Sequence, residues 1–275
     1  MSDSAPLVIE PSSPWRSVDL GELWRYRELL FFLVWRDVKV RYKQTVMGMA
    51  WAIIQPLMAT VLFAFFFGRI AKLPSDGIPY PLFAYAGLLP WTFFANAITA
   101  GSNSLIGSTH LITKVYFPRL LLPLSSVATV FFDFLVALLM LGALLLWKGV
   151  SPSPAAVLWL PLVMLVAILL ATGLSIWLGA LVARFRDLRH VVPFAVQIWM
   201  FATPIVYPLS FVPARWRALV SLNPMTGVVE AFRAAVFGRP FAAAPLLIAI
   251  AMSLLLIVTG SIYFRRLERM VADLI

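Results

Sequence analysis

The chain has 275 residues, 62% of them hydrophobic and only 12% charged, with a formal net charge of +10. One soluble core cannot hide that much apolar surface, and the Lys and Arg residues stand at the ends of apolar runs rather than in a patch, which excludes nucleic acid as a partner. The absence of cysteine excludes disulfides and thiolate metal sites.

Residues 1–20, with Pro6, Pro11, Pro14, Asp3 and Glu10, read as a flexible acidic lead. A secretory signal would need a basic start and an apolar core. Residues 21–43 predict a cytoplasmic interface helix lying along the membrane surface. Glu22, Arg25, Glu28, Arg36, Lys39 and Lys43 share one face, with Trp24, Phe31, Trp35, Val38 and Tyr42 opposite. Rings bury at the headgroup boundary while Lys and Arg meet anionic lipid; a helix packed on the rest of the protein is the plainer alternative. In WRDVKVRYKQTVMGMAWAIIQP, residues 35–56, this basic helix gives way to apolar sequence, and no charge follows Lys43 until Arg69. That stretch is long enough to cross a bilayer, and its cationic flank keeps the amino end inside.

The first span is read at 46–68. A second follows at 83–106, expected to break or tilt near Pro90. The basic segment KVYFPR, residues 114–119, returns to the inner side. Spans at 121–147, interrupted only by Asp133, and at 157–181 lead to a second basic loop, RFRDLRH, residues 184–190. A fifth span is expected at 192–212 and a sixth at 245–264. Six spans place both termini in the cytoplasm and put 15 of the 22 Lys and Arg residues on the inner side. The fold class is therefore all-α integral membrane, with residues 44–275 a single transmembrane domain. The outer loop between spans five and six is too charged to cross. Asn223-Pro224 divides it into two short helices, over about 218–238, expected to be re-entrant or interfacial. Glu230 and Arg233, three apart, can pair on one face of the second.

Little chemistry is encoded. None of the five Lys follows a glycine, so no phosphate-cradling GxxxxGK[ST] loop exists. His110 and His190 lie far apart, and no metal site is expected. Asp133, the one carboxylate inside a span, costs about 2.5–3.5 kcal/mol on insertion scales. A proton relay and a packing contact are both open for it. A membrane enzyme on lipid-linked sugars would need a carboxylate, His or metal constellation, and an ion-coupled transporter several intramembrane ionisable groups.

RDVKVRYKQTVMGMAWAIIQP, GLLPWTFF, LITKVYFPR and LNPMTGVVEAFRAAVFG, in that order, resemble the membrane subunits of ABC type 2 polysaccharide exporters, which serve O-antigen, capsule and teichoic-acid export. The resemblance spans about residues 20–269 and is nearest to the O-antigen type. It implies a permease subunit in the bacterial inner membrane that moves lipid-linked polysaccharide out of the cytoplasm. It further implies a homodimer with two copies of a separate ABC ATPase that carries the ATP and Mg, with no cofactor on this chain. An interface helix, a coupling region ending at KVYFPR and gate helices over 221–238, including Asn223, Pro224, Glu230 and Arg233, complete the expected parts.

A permease without a phosphate loop must borrow its energy through inner loops. Lys114, Val115, Tyr116, Phe117 and Arg119, with Arg184, Arg186 and Arg189, are the expected ATPase-coupling residues; an aromatic pair beside Arg makes an anchor for a groove. A glycan conduit should offer rings with sparse hydrogen-bonding groups and few fixed charges. Trp51, Gln55, Met58, Leu62 and Phe66 align on the first span, and Phe194, Gln197, Phe201, Pro204 and Pro208 on the fifth. Of these, Trp51, Gln55, Phe66, Phe194, Gln197 and Phe201 are the candidate channel residues. Packing seams, with each amide bonding across helices, are the alternative.

Overall fold

The computed structural model describes residues 20–43, 48 and 50–274, with side chains for 21–43, 48 and 50–267. The acidic lead and the expected first residues of span one lie outside this set. Among the described residues the regular structure is all helix, without strands. Helices α1 (Leu20–Arg25) and α2 (Arg27–Lys43) are split by a turn at Tyr26. Helix α3 (Ala50–Phe63) winds on as a π-helix over Ala64–Ile70, and α4 (Tyr80–Gly107) and the short α5 (Thr109–Ile112) follow. Next come α6 (Leu121–Trp147), α7 (Ala156–Arg184) and α8 (Leu188–Phe201). Helices α9 (Ala214–Ser221), α10 (Pro224–Phe237) and α11 (Ala243–Leu274) close the chain.

Among the described residues, five helices are long and apolar enough to cross a membrane: Ala50–Ile70, Tyr80–Gly107, Leu121–Trp147, Ala156–Arg184 and Ala243–Leu267. The third matches the sequence expectation residue for residue. Two expectations are corrected. Helix α4 does not break at Pro90 but continues through it, and the Thr92 hydroxyl donates to the carbonyls of Leu88 and Leu89 at 2.9 and 3.0 Å, which removes the break from the expected break or tilt. The expected fifth helix over 192–212 stops at Phe201, because Pro204 and Pro208 cannot donate to a continuing helix and bias their predecessors away from it. Residues 202–208 run irregularly into a 3-10 turn at Leu209–Phe211.

Helix α4 is the axis of the bundle. It is mostly buried and packs against α3, α6, α7, α8 and α10. Its rings Phe93 and Phe94 meet Phe131, Phe134 and Trp199 edge-on, an arrangement that aromatic quadrupoles favour. A second apolar cluster sits where α2, α6, α7 and α11 meet, built on Leu33, Phe117, Leu121, Ala180, Phe264 and Leu267. Helix α2 therefore packs alongside α6, its buried face Leu33 and Val38, while Trp24, Phe31 and Trp35 stay exposed. The expected aromatic stripe is thus divided: Val38 and Tyr42 turn towards α6, and the Trp and Phe rings turn away.

Helices α10 and α11 cross at Gly227, where a Cβ would run into the Pro245–Leu246 backbone. Overpacking of this kind costs about 1–3 kcal/mol or more. Gly227→Val should lower the Tm of the detergent-solubilised protein by several degrees, read by fluorescence-detected size exclusion after heating, whereas Gly142→Ala, with open space at its Cβ, should not.

Candidate functional site

Arg233 is the most deeply held charge among the described residues, only 4% exposed on α10. Its guanidinium donates to the carbonyls of Phe83 (3.2 Å) and Pro204 (2.8 Å), to that of Ile205, and to Glu230 Oε1 (3.2 Å). It also lies 3.7 Å from the centroid of the Phe83 ring. The planar five-donor fork of arginine suits this many acceptors. Space for it exists because residue 87 is glycine: a Cβ there would approach Arg233 Cζ to 2.9 Å. The expected Glu230–Arg233 pairing is present, but the larger task of Arg233 is to satisfy irregular backbone carbonyls.

Asn223 does the same at the other end of α10, about 15 Å away along the helix. As N-cap of α10, its Oδ1 accepts from Met225 N (3.1 Å) and Trp199 Nε1 (3.0 Å). Its Nδ2 donates to Ala202 O (3.2 Å) and Thr203 Oγ1 (2.9 Å). Pro224 at N1 and Gly238 at φ 66° bound the helix as the sequence indicates. Trp199 meets Trp91 and Phe94, so Asn223 reaches a level about 16 Å along α4 from its start.

At the opposite end of the bundle, the KVYFPR segment divides. Val115 and Tyr116 are exposed, Tyr116 by 86%, and so is Lys114, while Arg119 is half-buried. Phe117 is buried against Leu33, Leu120 and Leu121, which corrects its reading as a surface contact: the ring anchors the loop. Arg184, Arg186 and Arg189 are exposed, Arg184 lying over the Phe185 ring and Arg189 donating to His190. Ala183 belongs to the same cluster as Phe117, so both basic loops occupy one end.

Asp133 has the partners that the sequence left open. One oxygen accepts from Arg41 and the other from Tyr42, both on α2. Burial, then the hydrogen bond and charge of Asp133, push the Tyr42 phenol up, so it stays a donor. These side chains form one wall of a cavity of about 400 Å³, continued by Trp51, Gln55, Asn96 and Phe93. Arg41 and Asn96 were not singled out in the sequence, and Tyr42 was read only as part of the aromatic face of the interface helix. The available signal was a lone acid inside a span with an Arg-Tyr pair at the end of the preceding helix.

The two stripes face outward. Trp51, Gln55, Met58, Leu62 and Phe66 are exposed along α3 and its π-helical end. On α8, Phe194, Gln197 and Phe201 are exposed, but Pro204 and Pro208 are buried beyond the helix end, which shortens that stripe.

Residues 28–237, from the first turn of α2 to the last of α10, match the family described as ABC-2 type transporter. The chain belongs to that family. This ABC-2 chain is 32% identical over 247 residues to the O-antigen export system permease protein RfbA of Myxococcus xanthus, covering 88% of the present chain and 94% of the relative. A protein of the same name from Klebsiella pneumoniae is 30% identical over 215 residues (78% and 81% covered). The polysialic acid transport protein KpsM of Escherichia coli is 25% identical over 205 residues (73% and 78%).

Removing Arg233 leaves three backbone carbonyls unpartnered, whereas removing Glu230 takes one bond from a guanidinium that keeps three others and one from the Leu209 backbone N–H. Arg233→Ala should cost about 3–5 kcal/mol and Glu230→Ala markedly less, with the double variant no more stable than Arg233→Ala. Thermal unfolding of the three purified variants measures the order.

Proposed function

We propose that this chain is the permease subunit of an ATP-driven exporter that moves lipid-linked polysaccharide, of the O-antigen type, from the cytoplasm across the bacterial inner membrane. The alternative substrates are capsular polysaccharide, the kind of cargo named for the Escherichia coli relative, and teichoic acid. The observation that carries the reading is the pair of outward stripes on α3 and α8, taken with a relative named for O-antigen export that matches nearly the whole chain. Each stripe sets an amide, Gln55 or Gln197, among rings, and an amide facing hydrocarbon would lack a partner. A second copy of the chain covers these faces and encloses a conduit in which rings meet sugar C–H surfaces and the amides meet hydroxyls. Weak, uncharged contacts of this type let a long glycan slide.

In this reading α8 with residues 202–212 makes a sixth crossing and leaves both termini in the cytoplasm. Supporting it, Tyr80 Oη donates to Val206 O at 2.7 Å and Ser210 Oγ to Asp76 at 2.9 Å, so residues 206–210 stand at the start of α4, whereas α8 begins beside Arg184 at the basic-loop end. Helices α9 and α10 are then an outer re-entrant hairpin, with Asn223 and Pro224 at its inner tip, and serve as the gate. ATP and Mg belong to a separate ATPase, two copies per dimer, docked on Tyr116 and the exposed arginines of the two basic loops. The permease itself has no catalytic role and binds no cofactor.

Co-expression with a candidate ABC ATPase subunit from the same organism tests this. Cells lacking the permease should lose surface polysaccharide. Tyr116→Asp should leave the permease folded by size exclusion, yet cut ATPase co-purification and export about tenfold; Phe117→Asp should instead reduce the folded yield. Full export by Tyr116→Asp would remove the loop from the coupling surface.

A further inference from the structure

The cavity bounded by α2, α3, α4 and α6 lies within one chain and is not explained by a conduit between two copies. Besides the aliphatic side chains of Ala52, Pro56, Ala100, Val130 and Ala137, its walls carry rings, amides, hydroxyls and one ion pair. Rings come from Tyr42, Trp51, Phe93 and Phe134. Amides come from Gln55 and Asn96, and among the described residues no side-chain hydrogen bond holds either. Hydroxyls come from Thr92 and Thr99, whose protons go to their own helix carbonyls at 2.8–3.0 Å, leaving oxygens that can only accept. The charges in the wall, Arg41 and Asp133, are paired with each other. Such a wall offers no net charge to a phosphate, and its polar groups interrupt the apolar surface that a lipid tail would need. It does offer ring faces, amide donors and acceptors, and hydroxyl acceptors, the set that a polyol with C–H faces uses. At about 400 Å³ it lies in the usual range for small-ligand cavities.

We infer that this cavity is a binding subsite for a neutral sugar ring of the transported glycan, stacked on Trp51 and hydrogen-bonded by Gln55 and Asn96. The inference rests on the polysaccharide-export reading and adds to it a place inside each subunit where a glycan unit is held. Trp51 and Gln55 belong both to the outward stripe and to the cavity wall, so the subsite opens sideways from the α3 face. The Arg41–Asp133 pair, with Tyr42, fixes α2 as its back wall, and the subsite is complete only while α2 is docked on α6.

The chain has no cysteine, so single reporters are available. Asn96→Cys, Gln55→Cys, Phe201→Cys and Leu139→Cys would each be made in the full chain with its ATPase. Alkylation by a small neutral maleimide would be timed in inverted membrane vesicles from two strains: one making the polysaccharide, the other lacking the glycosyltransferase that extends it. The expected result is alkylation about tenfold slower at Asn96→Cys and Gln55→Cys when polysaccharide is present, with no change at Leu139→Cys, which is 76% exposed on α6. Equal rates at Asn96→Cys in the two strains overturn the subsite; a cavity filled by lipid or water gives that result. Protection at Phe201→Cys alone overturns the subsite and leaves the conduit standing, whereas protection at none of the reporters overturns both. Ring stacking has its own readout: Trp51→Phe should keep export and Trp51→Ala lower it about tenfold at equal folded yield. Equal export by the two variants overturns the stacking role.

Discussion

Inside a bilayer no water satisfies a bare carbonyl, so every departure from helix must bring its own donors. Among the described residues the chain departs from helix within the packed bundle where α8 ends, and beyond Thr203 it runs on irregularly to Pro208. Arg233 and Asn223 supply the missing donors, reaching the carbonyls of Ala202, Pro204 and Ile205 from α10. Helix α10 is thus part of the irregular segment's hydrogen-bonding shell, and its position, the gap at Gly87 and the close crossing at Gly227 belong to one arrangement. A charged group is tolerated there because it has four acceptors and an aromatic face, so its desolvation is offset by bonds that water would otherwise provide.

Asp133 follows the same logic midway along α6. Its partners arrive on α2, outside the five long apolar helices. That contact draws a helix with exposed Trp24, Phe31 and Trp35 up against α6 and leaves the α2–α3 junction over a lined cavity. A packing role accounts for the carboxylate without a relay.

The sequence made the long helices plain, because unbroken apolar length is the strongest signal a membrane chain carries, and Leu121–Trp147 matches to the residue. It also marked the break at Asn223-Pro224, whose chemistry is local. Whatever depends on distant backbone was hidden. The carbonyl partners of Arg233 have no sequence signature, and Asp133 and Arg41 stand 92 positions apart. Nothing in KVYFPR distinguishes an inward Phe117 from an outward Tyr116; that division comes from Leu33 and Leu121 closing over one ring. The end of α8 was legible in principle from Pro204 and Pro208, but continuous apolarity outweighed them.

The burial of Phe117 has a mechanical consequence. Its ring is wedged into a knot shared by α2, α6, α7 and α11, and close-packed interiors are stiff. A push on the exposed Tyr116 next door is therefore not absorbed by a slack loop but delivered to four helices together. One of them, α2, runs from Leu33 in the knot to Arg41 and Tyr42 on Asp133. The distance from the knot at Leu121 to Asp133 is about 18 Å along α6.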